Sequence, residues 1–367
     1  MRWLIAAGGT GGHVFPALSL AQAVQDSDPQ AKVLFVGTHR GLESRVVPAQ
    51  GFDLKRIPAR GLVGLNWKAR LQTLLGLPWV LTRCVGILAG FRPQLVVGMG
   101  GYVAGPVVLL AFLMGIPTAV AEQNAVAGRT NRILGRIVRR VFLAFQETEA
   151  QFPPNKVRVT GNPVRKQLVE AAKECPPLKW GASGKEEFRL LIFGGSQGAR
   201  GINLAVKEAI PLLARLPFPL VVFHQAGQAQ VQELGRAYEE SGIPHEVVEF
   251  IEHMEFAYSR AHLVICRAGA SSLAELALFG RPSILVPFPY AADEHQKRNA
   301  LLFQEAGASV MLEQGELSGA SLAALVERLA TEPHRLEQMG RAARSLARPR
   351  AAQAMVEECM ALVGEKR

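Results

Sequence analysis

At 367 residues, 49% of them apolar, the chain is too long for one ordinary core and is expected to form two domains. Its formal charge of +10 is unevenly placed: residues 1–160 carry 18 Lys+Arg against 7 Asp+Glu, the remainder 23 against 24. Few aromatics accompany the charge and no helix-turn-helix, zinc-finger or RNA-binding signature is present, so nucleic acid is excluded and an anionic membrane surface is favoured.

Cys84, Cys175, Cys266 and Cys359 show no paired spacing and read as reduced thiols. No His/Asp/Glu cluster has metal spacing, so no tightly bound metal is expected. Met1-Arg2-Trp3-Leu4-Ile5 runs straight into a strand pattern, so no signal peptide is expected. The longest apolar stretch of interest, Val107 to Met114, is too short to span a bilayer.

Short apolar runs predict strands at 2–7, 33–37, 94–98, 117–121 and 140–144. Helices are predicted at 16–26, 41–50, 67–90, 103–114, 126–138 and 147–151. Continuous apolar strands alternating with helices imply a parallel sheet covered on both faces. Gly161-Asn162-Pro163 reads as a turn, and the polar stretch Glu174–Glu187, with Pro176-Pro177, as a linker. The alternation then resumes, with strands at 188–193, 219–224, 246–250, 262–266 and 282–286, and a last helix after Pro349.

One device occurs twice. Leu4-Ile5-Ala6-Ala7 leads into Gly8-Gly9-Thr10-Gly11-Gly12-His13, and Leu190-Leu191-Ile192-Phe193 leads into Gly194-Gly195-Ser196-Gln197-Gly198. Each is a strand, a glycine loop and a helix start, which turns bare amides and the positive end of the helix dipole toward a phosphorylated ligand. Two copies predict an α/β protein of two doubly wound parallel sheets facing across a cleft. Neither loop is a Walker A, since no Gly-Lys-Ser/Thr follows. Neither is a good dinucleotide fingerprint: Val14 stands where a third glycine belongs, and Phe35-Val36-Gly37 ends without the ribose-binding acid.

His13, at the end of the first loop, is a candidate general base because imidazole titrates near neutrality. Glu122-Gln123-Asn124 follows an apolar strand, the position where open α/β sheets bind ligands. Arg267 through Glu275 forms a third small-residue loop into a helix, with Glu275 placed to bond a ribose diol. Between Leu65 and Phe91, Trp67, Leu71, Leu75 and Trp79 alternate with Lys68, Arg70 and Arg83. That mixture suits a helix lying in an anionic lipid interface.

Together Gly8–His13, Gly100-Gly101-Tyr102, Glu122-Gln123-Asn124, Gly161-Asn162-Pro163-Val164-Arg165, Gly194–Gly198 and Arg267–Glu275 resemble, in order and spacing, the MurG family. These are bacterial N-acetylglucosaminyltransferases that make lipid II for peptidoglycan, and the resemblance runs nearly end to end. It implies the GT-B fold, with an acceptor- and membrane-binding domain over 1–162 and a UDP-GlcNAc-binding domain over 163–346. Residues 347–367 would form a helix packed back on the first domain. The reaction implied is inverting transfer of GlcNAc from UDP-GlcNAc to the C4 hydroxyl of MurNAc in lipid I. UDP-GlcNAc is a substrate in this scheme, with no cofactor or essential metal.

Carried over residue by residue, the resemblance assigns Arg165 and Ser196 to the donor diphosphate and its sugar neighbours, and the Ile251 backbone to uracil. Ala270, Ser271, Ser272, Leu273, Ala274 and Glu275 form the nucleotide loop, and Gln296 meets the GlcNAc. Thr10, Gly11, Gly12 and Asn124 are implied on the donor as well. Gly9, Thr10, Gly11, His13, Tyr102, Glu122, Asn124 and Asn131 line the acceptor side, with His13 as first candidate base and Glu122 as second. The implied setting is the cytoplasmic face of the inner membrane, with lipid I, the anionic lipid surface and other cell-wall synthesis proteins as partners. The alternatives are a GT-B transferase for another lipid acceptor such as diacylglycerol, a UDP-GlcNAc epimerase, and a bi-lobed solute-binding protein.

Overall fold

A computed structural model describes residues 1–39, 41–59, 75–181, 186–195 and 198–364, with Ala292 described by its backbone alone. The chain divides into two compact units, Met1–Lys166 with Pro349–Arg367, and Gln167–Arg348. Among the described residues, no helix is long and apolar enough to cross a membrane.

The first unit is built on seven strands: β1 Arg2–Ala6, β2 Lys32–Gly37, β3 Asp53–Arg56, β4 Leu95–Gly98, β5 Thr118–Glu122, β6 Arg140–Leu143 and β7 Val157–Val159. They form one sheet in the order β3-β2-β1-β4-β5-β6-β7, every described pairing parallel. Alternation along β1 sends Trp3 and Ile5 to one face and Leu4 and Ala6 to the other, each into its own buried cluster. On the first face the Gly11–Ser27 helix packs against the Ala351–Gly364 helix, which buries Met355, Val356, Cys359 and Leu362 there. The latter helix is pinned further by Glu358, which accepts from Arg140 Nε and Arg158 Nε, each at 3.2 Å. On the other face lie the Leu77–Phe91 and Gly101–Leu113 helices, through Val80, Cys84, Leu88, Val103 and Val107.

The second unit has six strands: β8 Phe188–Phe193, β9 Leu220–Gln225, β10 His245–Val248, β11 Leu263–Cys266, β12 Ser283–Leu285 and β13 Ser309–Met311, in the order β10-β9-β8-β11-β12-β13. Trp180 closes one end of its core. It packs edge-on against Phe188 and donates Nε1–H to Ala330 O at 2.7 Å. All four cysteines are buried and unpaired.

Sequence periodicity misses β3, β7 and β13. Each has three or four residues and lies at the edge of its sheet, where a strand needs only one partner and few apolar side chains. Of the helix expected over 67–90, residues 77–91 are helical and the part before residue 75 lies outside the described residues, with Trp67, Lys68, Arg70 and Leu71.

Candidate active site

In each sheet the strand order reverses direction beside the first strand, between β1 and β4 and between β8 and β11. Open α/β sheets bind ligands at the carboxyl end of such a reversal, and the glycine loops sit there.

In the first unit, the loop after β1 and the loop after β4 interlock. Gly101 has φ 76° and no room for a Cβ, which would run into the Gly8 carbonyl. Gly100 has φ 98°, and a Cβ there would stand 2.8 Å from His13 Nε2. The imidazole therefore rests on the Gly100 backbone. Gly9 faces the Tyr102 ring at 3.8 Å on the same measure. Thr10 occupies the N-cap of the Gly11–Ser27 helix with extended dihedrals, yet its hydroxyl makes no cap bond. The amide of Gly9 is not bare, contrary to the reading of the loop as an unencumbered anion cradle: it donates to Glu43 Oε2 at 3.1 Å. An amide turned inward to a carboxylate has no proton left for a phosphate.

Glu122 ends β5, 4% exposed, inside a web of donors. Oε1 accepts from the Asn124 backbone N–H at 3.0 Å and from Asn124 Nδ2 at 3.3 Å, and Oε2 from Gly128 N–H at 3.0 Å and Asn131 Nδ2 at 2.9 Å. The structure thus brings Glu122, Asn124 and Asn131 together, with the carboxylate as organiser of the 124–131 segment. Asn131 also donates to Ala121 O at 3.0 Å, so Oδ1 is the part of its amide left to accept. Gln123 ties this loop to the next one by donating to Met99 O at 3.1 Å. Arg165 belongs to this unit as well, with its guanidinium 5.4 Å from the centroid of the Phe15 ring.

In the second unit, Gly195 and Gly198 take positive φ, 89° and 74°, and Gln225 holds the turn by donating to Gly195 O at 2.7 Å. Ser196 lies outside the described residues. The loop after β11 starts the Ala270–Phe279 helix, with Gly269 at its N-cap. Leu273 is fully buried, so its backbone is what it can offer a ligand, whereas Ser271 Oγ is buried without a hydrogen-bond partner in the structure. Glu275 accepts from the buried Tyr258 hydroxyl at 3.0 Å. Ile251, with its side chain buried, borders a cavity of about 590 Å³ that Phe250 and Phe256 also line. Gln296 accepts from Phe288 N–H through Oε1 at 3.0 Å, which leaves its NH2 group as the donor to a ligand. Asp293 and Glu294, just before it, take left-handed φ of 50° and 52°, a strained entry to the His295–Glu305 helix.

Arg267 opens the third small-residue loop, but sequence reading gives it no role of its own. It donates to Val286 O and Pro287 O, each at 3.1 Å, and to Gln314 Oε1 at 2.8 Å, joining the loops after β11, β12 and β13. Burial holds its guanidinium below the usual arginine range. Asn299, on the Gln296 helix, donates to Ala268 O at 3.2 Å, so the nucleotide loop and the expected sugar contact share one framework.

Two parallel α/β units, each with a glycine turn at its switch point, are the two halves of the GT-B fold. Residues 3–143 match the glycosyltransferase family 28 N-terminal domain and residues 189–355 the family 28 C-terminal domain. A relative from Myxococcus xanthus, named UDP-N-acetylglucosamine–N-acetylmuramyl-(pentapeptide) pyrophosphoryl-undecaprenol N-acetylglucosamine transferase, is 46% identical over 99% of this chain and 93% of its own. One of the same name from Syntrophus aciditrophicus is 43% identical over 99% of both. The crystal structure of Acinetobacter baumannii MurG superposes with a TM-score of 0.78 at 34% identity, covering 98% of this chain and 99% of that one. A UDP-GlcNAc 2-epimerase from Neisseria meningitidis, at 16% identity and a TM-score of 0.68, shares the fold alone. The chain belongs to glycosyltransferase family 28 and, within it, to the MurG family.

Proposed function

We propose that this chain carries out the reaction for which its relatives are named, moving N-acetylglucosamine from UDP-GlcNAc to the C4 hydroxyl of MurNAc in undecaprenyl-diphosphate-MurNAc-pentapeptide (lipid I), with inversion, to give lipid II. Near-full-length identity of 46% to a transferase of that name carries the reading. The placement of His13 at the switch point of the first sheet supports it.

His13 takes the proton of the acceptor hydroxyl as it attacks the anomeric carbon from the face opposite UDP. Its ring is seated on the Gly100 backbone, so it approaches the acceptor in one orientation. Glu122 is better suited to shape the acceptor loop than to take the proton, because four donors already claim its oxygens. Tyr102, Thr10 and the Gly11-Gly12 helix start complete the acceptor side. Inversion is one displacement, so no enzyme nucleophile is required. Charge developing on UDP is met by Arg165 and by helix-terminal amides, which act without reorganising. Glu275 binds the ribose diol, the Ile251 backbone the uracil, and the Gln296 NH2 group an acceptor atom of the GlcNAc.

The lipid tail of the acceptor calls for a membrane-facing surface. Three helices packed in succession carry exposed apolar side chains: Leu77 and Trp79 on Leu77–Phe91, Leu109, Phe112 and Leu113 on Gly101–Leu113, and Ile133 on Arg129–Gly135. Exposed Arg83 and Arg132 lie on the same helices, and exposed Arg136 caps the last of them. A patch of this kind supports peripheral attachment to the anionic cytoplasmic face of the membrane.

The test is transfer from radiolabelled UDP-GlcNAc to a short-chain lipid I analogue in EDTA. A disaccharide product is expected at the rate seen without the chelator. UDP-GlcNAc binding with no product overturns the acceptor assignment, and a rate restored only by added divalent ion overturns metal independence.

A further inference from the structure

The Glu43 carboxylate is fully buried and faces the underside of the first glycine loop. It comes from the crossover after β2, 34 residues beyond the Gly9 amide that it accepts from at 3.1 Å. Its other oxygen accepts from the backbone N–H and the hydroxyl of Thr38, each at 2.8 Å. Thr38 Oγ1 accepts in turn from Gly41 N–H at 3.0 Å, which fixes the hydroxyl proton on the carboxylate. The surrounding chain has given up side chains to make room. A Cβ at Gly8 would stand 3.0 Å from Glu43 Oε1, and Cβ atoms at Gly37 and Gly41 would overlap the Glu43 side chain. A buried carboxylate is costly unless it is hydrogen-bonded, and here its three donors come from two strand ends.

We propose that Glu43 is a positioning residue for the acceptor side of the reaction. It rests on the function proposed above, and it touches no substrate. By drawing the Gly9 amide inward it sets the turn from Gly9 (φ 99°) to Thr10, from which the helix bearing His13 starts. The same bond removes Gly9 from the anion-binding set, so the acceptor diphosphate is met from Thr10 onward. Glu43 thereby orients the base and the helix start together, while the donor contacts of the second unit do not depend on it.

Glu43→Gln in the full chain is the test. The amide keeps the volume, but one oxygen becomes an NH2 group that cannot accept. With two donors on the Thr38 side, the remaining oxygen stays there and the Gly9 bond is lost. We expect kcat with the short-chain lipid I analogue to fall at least about 10-fold and the acceptor KM to rise, the equivalent of losing one hydrogen bond to a charged group. The dissociation constant for UDP-GlcNAc should stay within about twofold, a split that general loosening of the fold would not produce. Glu43→Asp, one methylene short, should not rescue. Hydrogen exchange should quicken in the peptide spanning residues 8–14 and not in peptides of the second unit. Unchanged kcat and acceptor KM, or equal losses for donor and acceptor, overturn the proposal. If Glu43→Gln fails to fold, Thr38→Val, which keeps the charge but removes one donor, should show the same split in milder form. An inactive wild-type chain would count against the lipid I reading alone, because the exchange measurement still decides whether Glu43 holds the loop.

Discussion

A histidine that rests on a glycine has its ring set by backbone, and this makes two residues testable as one unit. His13→Ala should abolish turnover, by at least about 100-fold for loss of a general base, while UDP-GlcNAc binding measured by calorimetry stays intact. Near-normal turnover in that variant would remove His13 from the chemistry. Gly100→Ala keeps the histidine but drives a Cβ into its ring, which must shift, at a backbone φ of 98° that alanine tolerates poorly. It should lower kcat with little change in the UDP-GlcNAc dissociation constant. His13, Tyr102, Glu122 and Asn124 are legible in the sequence because each sits within a glycine or strand-end motif. Glu43 is not, and the framework roles of Gln123 and Arg267 are not although both stand inside motifs, since that work lies in hydrogen bonds to groups distant in sequence, and a Glu, Gln or Arg carries no signal of its partner.

At the scale of elements, long central strands announce themselves and edges do not. Leu190–Phe193 is a continuous apolar run because helices cover both its faces, whereas Asp53-Leu54-Lys55-Arg56 is a strand only by its pairing with β2. The same sheet logic places a polar residue where sequence gives no warning. His224, on β9, is completely buried between Asn203 and Tyr238. Asn203 Nδ2 is spent on Ala226 O and Gln230 Oε1, so Asn203 Oδ1 accepts from His224 Nε2–H and the Tyr238 hydroxyl donates to Nδ1. That neutral tautomer has no place for a second proton. Burial pushes His224 down to about 3, and burial with the nearby Arg281 and Arg189 charges pushes His262 down to about 4. The unfolded chain takes up protons near pH 6.5 while the folded one does not, so stability is full above that pH. It declines as the pH falls toward 4, by about 1.4 kcal/mol per pH unit for each such histidine. Thermal unfolding between pH 7 and about 5.5, above most carboxylate titration, should show the onset of this slope, and His224→Gln should reduce it by about half, His262 keeping the rest. An identical slope in the variant would assign the acid sensitivity elsewhere.

For the whole molecule, the charge asymmetry and the exposed apolar helices fall in the same unit, and each alone is ambiguous. Excess Lys and Arg on a soluble protein is ordinary, and so is an exposed leucine. Trp79 at 61% exposure, Leu113 at 68% and Ile133 at 66%, on helices that carry Arg83 and Arg132 and end at Arg136, make a surface that water alone would not favour. Each interfacial cation contributes about 1 kcal/mol on an anionic bilayer. Replacing Arg83, Arg132 and Arg136 by Gln should therefore weaken sedimentation with phosphatidylglycerol vesicles by a factor on the order of 100, and raised salt should weaken the wild type in the same direction. Trp79→Ser with Leu113→Ser should weaken binding to the same vesicles through the apolar term, without the salt dependence. None of these residues belongs to the proposed reaction site, so turnover of a short-chain, water-soluble acceptor should stay at the wild-type rate. Turnover of a full-length polyprenyl acceptor in vesicles should fall with the binding. Equal binding to neutral phosphatidylcholine vesicles would refute the electrostatic half of this argument, and loss of activity on the soluble acceptor would show that these helices serve the reaction site instead of a bilayer.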